Sequence, residues 1–388
     1  MRKALWITCG VTALLLTGVI YERRAERIDA VRHPAPGRLI AVGDHRLHLW
    51  CVGRGTPTVL LLSGDGTPSV TMHAAQRRIA ADTRVCSYDR AGLGWSDPAP
   101  RPMGLRGQVD DLERLLARGG VDGPLVLVPE SGGNVIALAF FRRAPQRVVG
   151  MVMVDGSEPS LWFRGSPDEF PMLRLTDPLW QAGWRLGIVR LILPFAVPSW
   201  VEALPPDLRG QFDAVWSRAM PGQARDPIDR WERTPAVNRP EAVPGLLGDR
   251  PLVVVRHGLA GGMGVPAKYE GEWPAAQARL MKLSRASEMV VATRSHHPIA
   301  EENPVLVSGG PQGGGAGAGA VMRTATAGWA VAVFLFPSPP RAKPVSSDGA
   351  VAPPAGRGFR SRAACCPLAA SPYAALARLA RLRSFGSR

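Results

Sequence analysis

Cysteine is scarce in this chain of 388 residues: five occur, at positions 9, 51, 86, 365 and 366, and they lack the paired spacing of a zinc site. No metal site is expected on that ground. Long apolar runs are equally few. Ala325–Phe336, bounded by Arg323 and Pro337, is too short to cross a bilayer, and one stretch near the N-terminus is long enough. Basic excess is also missing where a core would form. The formal charge is +15, but residues 1–36 hold 6 Lys/Arg against 3 Asp/Glu and residues 308–388 hold 10 against 1, leaving 31 basic and 28 acidic side chains between them. A body that near to neutral offers no basic face to track phosphates, so no nucleic-acid partner is expected. Apolar residues make up 46% of the chain, enough for a sizeable core, and this excludes global disorder.

The N-terminal run from Ala4 to Ile20 carries no charge and follows Arg2 and Lys3. Taken to Tyr21 it spans roughly 27 Å as a helix, the thickness of a bilayer's hydrocarbon core. Tyr21-Glu22-Arg23-Arg24 follows in place of a small-x-small cleavage site. A single-pass membrane anchor over residues 4–21 is therefore expected ahead of a cleaved signal or a buried helix, with residues 1–36 forming anchor and linker. Arg2 and Lys3 stand on one side and Arg23, Arg24 and Arg27 on the other, so charge does not set the orientation. After Val307 the sequence turns to Gly, Ala, Pro, Ser and Arg, and residues 308–388 are expected to form a low-complexity, disordered basic tail.

Residues 37–307 alternate strand and helix signals. Arg38–Val42 and Arg46–Val52 predict two hairpin-like strands, and Thr58–Leu62 a buried one. A helix-length piece, Ser69–Asp82, precedes the strand Arg84–Tyr88. Leu105, Val109, Leu112 and Leu116 recur at helical spacing, opposite Asp110, Asp111, Glu113 and Arg114. Pro124–Val128 is a fully apolar strand, Asn134–Arg142 a helix and Val148–Val154 a strand. Pro251–Val255 and Met289–Ala292 complete the series, separated by a helix at about 274–284. Strands apolar on both faces alternating with helices predict a mostly parallel α/β sheet. Between residues 157 and 244 the strand rhythm stops. That insertion holds six of the eleven tryptophans, Trp162, Trp180, Trp184, Trp200, Trp216 and Trp231, and is expected to be a helical cap over the sheet's edge.

Where the strand Leu125–Val128 meets the next helix stands Pro129-Glu130-Ser131-Gly132-Gly133-Asn134. A serine at a sharp strand-to-helix turn is lifted out of the sheet, and the helix start offers N–H groups to a developing oxyanion. Here the chain resembles the α/β-hydrolase superfamily, whose elbow is Gly-x-Ser-x-Gly: Ser131 and Gly133 match, and Pro129 replaces the first glycine. Ser63-Gly64-Asp65-Gly66 follows the third strand where that family has its oxyanion loop. Asp89-Arg90-Ala91-Gly92-Leu93-Gly94-Trp95-Ser96-Asp97 is similar to its Asp-x-x-Gly-x-Gly-x-Ser turn. Ser295-His296-His297 is similar to its terminal histidine loop. The resemblance covers about residues 37–307 and implies an eight-stranded, mostly parallel sheet with a helical cap insertion.

It further implies Ser131 as nucleophile and His297 as its base, with His296 the neighbouring candidate, and the backbone N–H groups of Gly132 and Asp65 as oxyanion hole. A carboxylate beside a forming oxyanion repels it unless it points away, which makes the Asp65 side chain a puzzle. The base needs a carboxylate to fix its tautomer. Behind the later strand no acid appears until Glu270, whereas the earlier one, Val152-Met153-Val154, ends in Asp155. Asp155 is the expected triad acid, ahead of Glu158, Glu270 and Glu272. Sheet order in the family would also bring the strands of Cys51 and Cys86 together, leaving either a cross-strand disulfide or two buried thiols; a disulfide would indicate an extracytoplasmic catalytic domain.

The expected activity is cleavage of an ester or similar acyl bond of an apolar small molecule, with no cofactor. The alternative is a catalytically impaired, hydrolase-like scaffold at the membrane. Pro129, the missing later-strand acid, and glycine-rich sequence in place of a closing helix all favour that alternative.

Overall fold

The computed structural model describes residues 2–164, 181–192, 204–223, 233–261 and 267–309, together with Leu179, Val201, Arg230 and Val265. The expected tail from residue 310, and Trp180, Trp200 and Trp231 of the expected cap, lie outside the described residues.

Eight strands form one sheet: β1 (Arg38–Ala41), β2 (Arg46–Val52), β3 (Thr58–Leu62), β4 (Val85–Tyr88), β5 (Leu125–Pro129), β6 (Val148–Val154), β7 (Leu252–His257) and β8 (Ser287–Ala292), in the order β1-β2-β4-β3-β5-β6-β7-β8. β1 and β2 run antiparallel to their neighbours and the rest are parallel. The order follows from burial. β3 and β5 are buried at every position and, Thr58 apart, apolar throughout, so both of their faces need cover and they take the centre.

Alternation of side chains sorts the core into two layers. Leu60, Leu62, Leu125, Leu127, Met151 and Met153 face α3 (Leu105–Arg118) and α4 (Gly133–Arg143). Val59, Leu61, Val126, Val128, Val152 and Val154 face the opposite way, onto α2 (His73–Ile79). That second layer is closed by two one-turn helices, Ile299–Glu302 and Pro304–Val307, whose Ile299, Ala300, Leu306 and Val307 are buried there. Each such side chain contributes roughly 1.5–3 kcal/mol by leaving water. The two edge strands are the least covered: Arg38, Leu39 and Ala41 of β1 are exposed, and Ser287 to Val291 of β8 are all partly exposed. The stretch predicted as one helix from Ser69 divides into a 3-10 turn, Ser69–Met72, and α2, because Pro68 fixes the entry and Met72 turns inward.

The segment between β6 and β7 contains α5 (Pro206–Gln223) and the short helices Pro159–Trp162 and Ile188–Ile192. Its Trp184, Val189, Leu208, Phe212 and Trp216 pack with Val70 and Trp95, which places it over the loops that leave β3 and β4. The N-terminal helix α1 runs unbroken from Arg2 to Arg32, eleven residues past Tyr21. It is long and apolar enough to cross a membrane, and no residue of its apolar window is buried. Cys51 and Cys86, opposite each other on β2 and β4, form a disulfide, while Cys9 is free and exposed.

Candidate active site

The C-terminal ends of β3, β5, β6 and β7 converge on Ser131. Glu130 donates its N–H to Leu62 O on β3 at 2.9 Å, and Ser131 donates its own to Val154 O on β6 at 3.1 Å. Held from both sides, the backbone passes through φ +49° at Ser131 before α4 begins. Left-handed backbone at a non-glycine residue is strained and persists only when its surroundings enforce it.

Glycine is required around this turn for want of space. A Cβ on Gly133 would lie 2.5 Å from Leu62 O, and one on Gly132 would lie 1.8 Å from an Asp65 carboxylate oxygen. Pro129 sits at the last position of β5. Pairing with β6 runs through Leu127, lapses at 128–129 and resumes where Glu130 meets Val154. The proline, with no N–H to give, falls in a gap of that ladder.

Ser131 Oγ lies 2.8 Å from His297 Nε2, and His297 Nδ1 lies 2.6 Å from Asp155 Oδ2. Asp155 follows β6 in the same left-handed conformation as Ser131, at φ +44°, and is fully buried. Its Oδ2 also takes His257 Nδ1 at 2.6 Å. Its Oδ1 accepts from His257 N at 3.1 Å and Trp273 Nε1 at 2.9 Å. Burial alone would raise this carboxyl, but the hydrogen bonds from His257 and His297 outweigh it and hold Asp155 below the usual carboxylate range. His257 is pulled the other way. Burial lowers it, yet Asp155 and then Glu270, whose Oε2 lies 3.2 Å from Nε2, leave it above the ordinary imidazole value. Asp155, His257 and His297 place three donor atoms within 4.8 Å of one another, a spacing open to a metal ion, and the same atoms are engaged in these hydrogen bonds.

The remaining sequence candidates stand apart. His296 is turned to the surface, where its N–H and ring bind Glu302. Glu158 caps the helix Pro159–Trp162 and pairs with Arg279, and Glu272 pairs with Arg164. Glu270 reaches His257 and Gly261 N–H.

Asp65 is not a bare charge. Its Oδ1 accepts from Arg230 Nη1 at 2.5 Å and its Oδ2 from Trp162 Nε1 at 2.6 Å. The Arg230 guanidinium is completely buried, donates to Gln108 Oε1 at 2.9 Å and reaches Gly132 O at 3.3 Å. Both of Asp65's carboxylate oxygens are therefore engaged. Among the described residues the backbone N–H groups of Asp65 and Gly132 donate to no protein group. The loop itself is held by Arg90, which donates to Ser63 O at 2.9 Å and Gly64 O at 2.5 Å. The turn that follows β4 acts as a brace. The Asp89 carboxylate accepts from Ser69 N, Trp95 N and His48 Nδ1, and Gly94, at φ +54°, is packed against it so closely that a Cβ would lie 2.1 Å away.

Directly behind the elbow lies a second acidic pair. Glu130, accepting from Ala300 N at 3.0 Å, is buried beside Glu301. Burial and then the neighbouring Glu301 push Glu130 well up, and burial pushes Glu301 up to about 7 against hydrogen bonds that favour its charge. Sequence reasoning passed over His257, Trp273, Arg230 and this pair. The signal for His257 was positional: it ends the strand beside the one that ends in Asp155.

Residues 57–191 match the family model described as alpha/beta hydrolase fold. An uncharacterized protein of Schizosaccharomyces pombe is 32% identical over 155 residues, which cover 31% of this chain and 28% of that one. The chain covers only about a quarter to a third of the length of the first curated relatives it matches. A thermophilic esterase from Thermogutta terrifontis, solved with malate bound, superposes with TM-score 0.50 at 22% identity, over 68% of this chain and 90% of that one. A protein described as an ancestral haloalkane dehalogenase gives 0.51 at 18% identity, over 70% and 95%. The fold is that of the α/β hydrolases, with the eight-stranded, mostly parallel sheet that the resemblance implied.

Proposed function

We propose that the protein is a serine hydrolase cleaving an ester or similar acyl bond through Ser131, His297 and Asp155. The observation that carries this reading is the unbroken hydrogen-bonded line from Ser131 Oγ through His297 to Asp155, starting at a strained elbow. Ser131 Oγ bonds to the acyl carbon while its proton passes to His297 Nε2, and the carbonyl electron pair moves onto oxygen. The N–H groups of Gly132 and Asp65 face that oxyanion, with the Asp65 carboxylate neutralised by Arg230 and Trp162. Collapse expels the leaving alkoxide, which takes the proton from His297. Water then repeats the sequence on the acyl-enzyme. Asp155 holds the imidazole in the tautomer that leaves Nε2 free to accept.

A serine at the elbow separates this chemistry from that of haloalkane dehalogenases and epoxide hydrolases, which rely on an aspartate there. Residues 4–21 form a single-pass anchor, a reading supported by the exposure of α1's apolar window. The Cys51–Cys86 disulfide supports an extracytoplasmic catalytic domain. The domain spans residues 37–307 with a cap at about 157–244, and the substrate is an apolar ester-like small molecule.

The test is fluorophosphonate labelling of the protein in detergent, with a cooperative melt as folding control and peptide mass spectrometry to locate the adduct. An adduct on Ser131 that vanishes in His297→Ala is expected. A folded protein taking no label would overturn the enzyme reading in favour of the scaffold.

A further inference from the structure

The polar half of α1 is bolted to the segment between β6 and β7. Arg190 donates to Glu22 through Nε at 2.9 Å and Nη2 at 2.8 Å, and to Asp29 through Nη1 at 2.5 Å. Glu22 is buried by this contact. The backbones nearly touch at Gly18, where a Cβ would come within 2.8 Å of Leu186 O, and Gly187, at φ +71°, lies against the Tyr21 ring. The contact therefore begins at Gly18, three residues or about 4.5 Å inside the end of the apolar run at Tyr21.

Exposed apolar side chains flank it. Ile188, Leu191 and Ile192 are 46%, 61% and 40% exposed, on the same short helix whose Arg190 grips α1. Arg23, Arg24 and Arg27 on the same stretch of α1, and Arg185 just ahead of the short helix, are exposed. Apolar side chains beside a collar of arginines, at the depth where a spanning helix leaves the hydrocarbon, match the chemistry of a bilayer interface containing anionic lipid.

We infer that the helix Ile188–Ile192 seats in the lipid interface next to α1, which holds the cap at the membrane surface and makes a membrane-dissolved acyl amphiphile the substrate class. The seating rests on the proposed anchor, and the substrate class rests on the proposed triad as well. The rigidity of the junction is central. Because α1 is one helix through both the apolar run and the ion pairs, insertion of residues 4–21 fixes the height of residues 186–192.

The experiment is site-directed spin labelling of the full chain, with Cys9, Cys365 and Cys366 replaced by serine. The label is placed in turn at Ile188→Cys, Leu191→Cys and Ile192→Cys, with Leu14→Cys as the anchor control and Val237→Cys as the aqueous control. The protein is reconstituted into vesicles of phosphatidylcholine and phosphatidylglycerol, and relaxation by oxygen is compared with that by a water-soluble nickel chelate. Labels at 188, 191 and 192 are expected to favour oxygen over the chelate by about fivefold relative to position 237, at roughly 5–10 Å depth. Lipid exposure at Leu14 with water exposure at 188–192 would overturn the inference and leave the anchor standing. Water exposure at both would overturn the anchor and the inference with it. Shielding of 188–192 from both reagents would place a second protein surface there and also overturn it.

Discussion

Raising the pH is expected to unfasten the carboxyl pair beside Ser131. An unfolded glutamate ionises near 4.5, whereas Glu301 in the fold is pushed up to about 7, so the folded protein keeps a proton that the unfolded chain has released. The stability this contributes is fully present below about 4.5 and is lost as the pH climbs through about 7. The interval amounts to about 3 kcal/mol, which for a domain of this size moves Tm by roughly 6–12 °C. Glu301→Gln keeps the shape and leaves an amide donor for Glu130 without the titrating proton. Thermal melts followed by circular dichroism, from about pH 5 to about pH 9, should show the parent losing Tm through neutrality and the variant losing distinctly less. His257 and Glu130 are also raised, so their contributions are likewise lost as the pH rises, but they remain in both proteins and the difference between the curves isolates Glu301. Parallel curves for parent and variant would refute the reasoning.

Asp155→Asn should lower esterase turnover by on the order of 10⁴-fold, read with a chromogenic ester, because His297 loses the acceptor that sets its tautomer. Gly132→Ala forces a methyl into the Asp65 carboxylate, and fluorophosphonate labelling should slow by about 10²-fold or more as the oxyanion loop shifts; unchanged labelling would contradict that contact. Replacing Cys51 and Cys86 together by alanine opens a link across 35 positions and should cost about 3 kcal/mol in denaturant unfolding. Pro129→Gly should change stability by no more than about 1 kcal/mol and leave turnover within about threefold, since the elbow already has its strained geometry with proline in place. A large gain in turnover would mean that the proline is what silences the site.

Legibility from sequence divided along physical lines. The central strands were readable because Thr58–Leu62 and Leu125–Val128 are apolar on both faces, a pattern only an interior parallel strand sustains. Ser131 and Asp155 were readable because each ends such a strand at the sheet's C-terminal edge. The partners that adjust those groups were not. Arg230 meets Asp65 across 165 positions, Glu130 meets Ala300 across 170, and His257 meets Asp155 across 102; each is an ordinary polar residue until the topology assembles it. The length of α1 escaped for a different reason. Hydropathy ends at Tyr21, whereas helicity continues through the good helix formers Glu22, Arg23, Arg24, Ala25, Glu26 and Arg27.

Two imidazoles on one carboxylate oxygen give the site an outer and an inner ring. His257, with Asp155 on one side and Glu270 on the other, takes up a proton more readily than an ordinary imidazole. Once occupied, it spends part of the Asp155 charge and sets a cation about 6.4 Å from the centre of the His297 ring. As the medium turns acid, the outer ring stands as a lightning rod beside the line from Asp155 to Ser131, the place where positive charge gathers next to it.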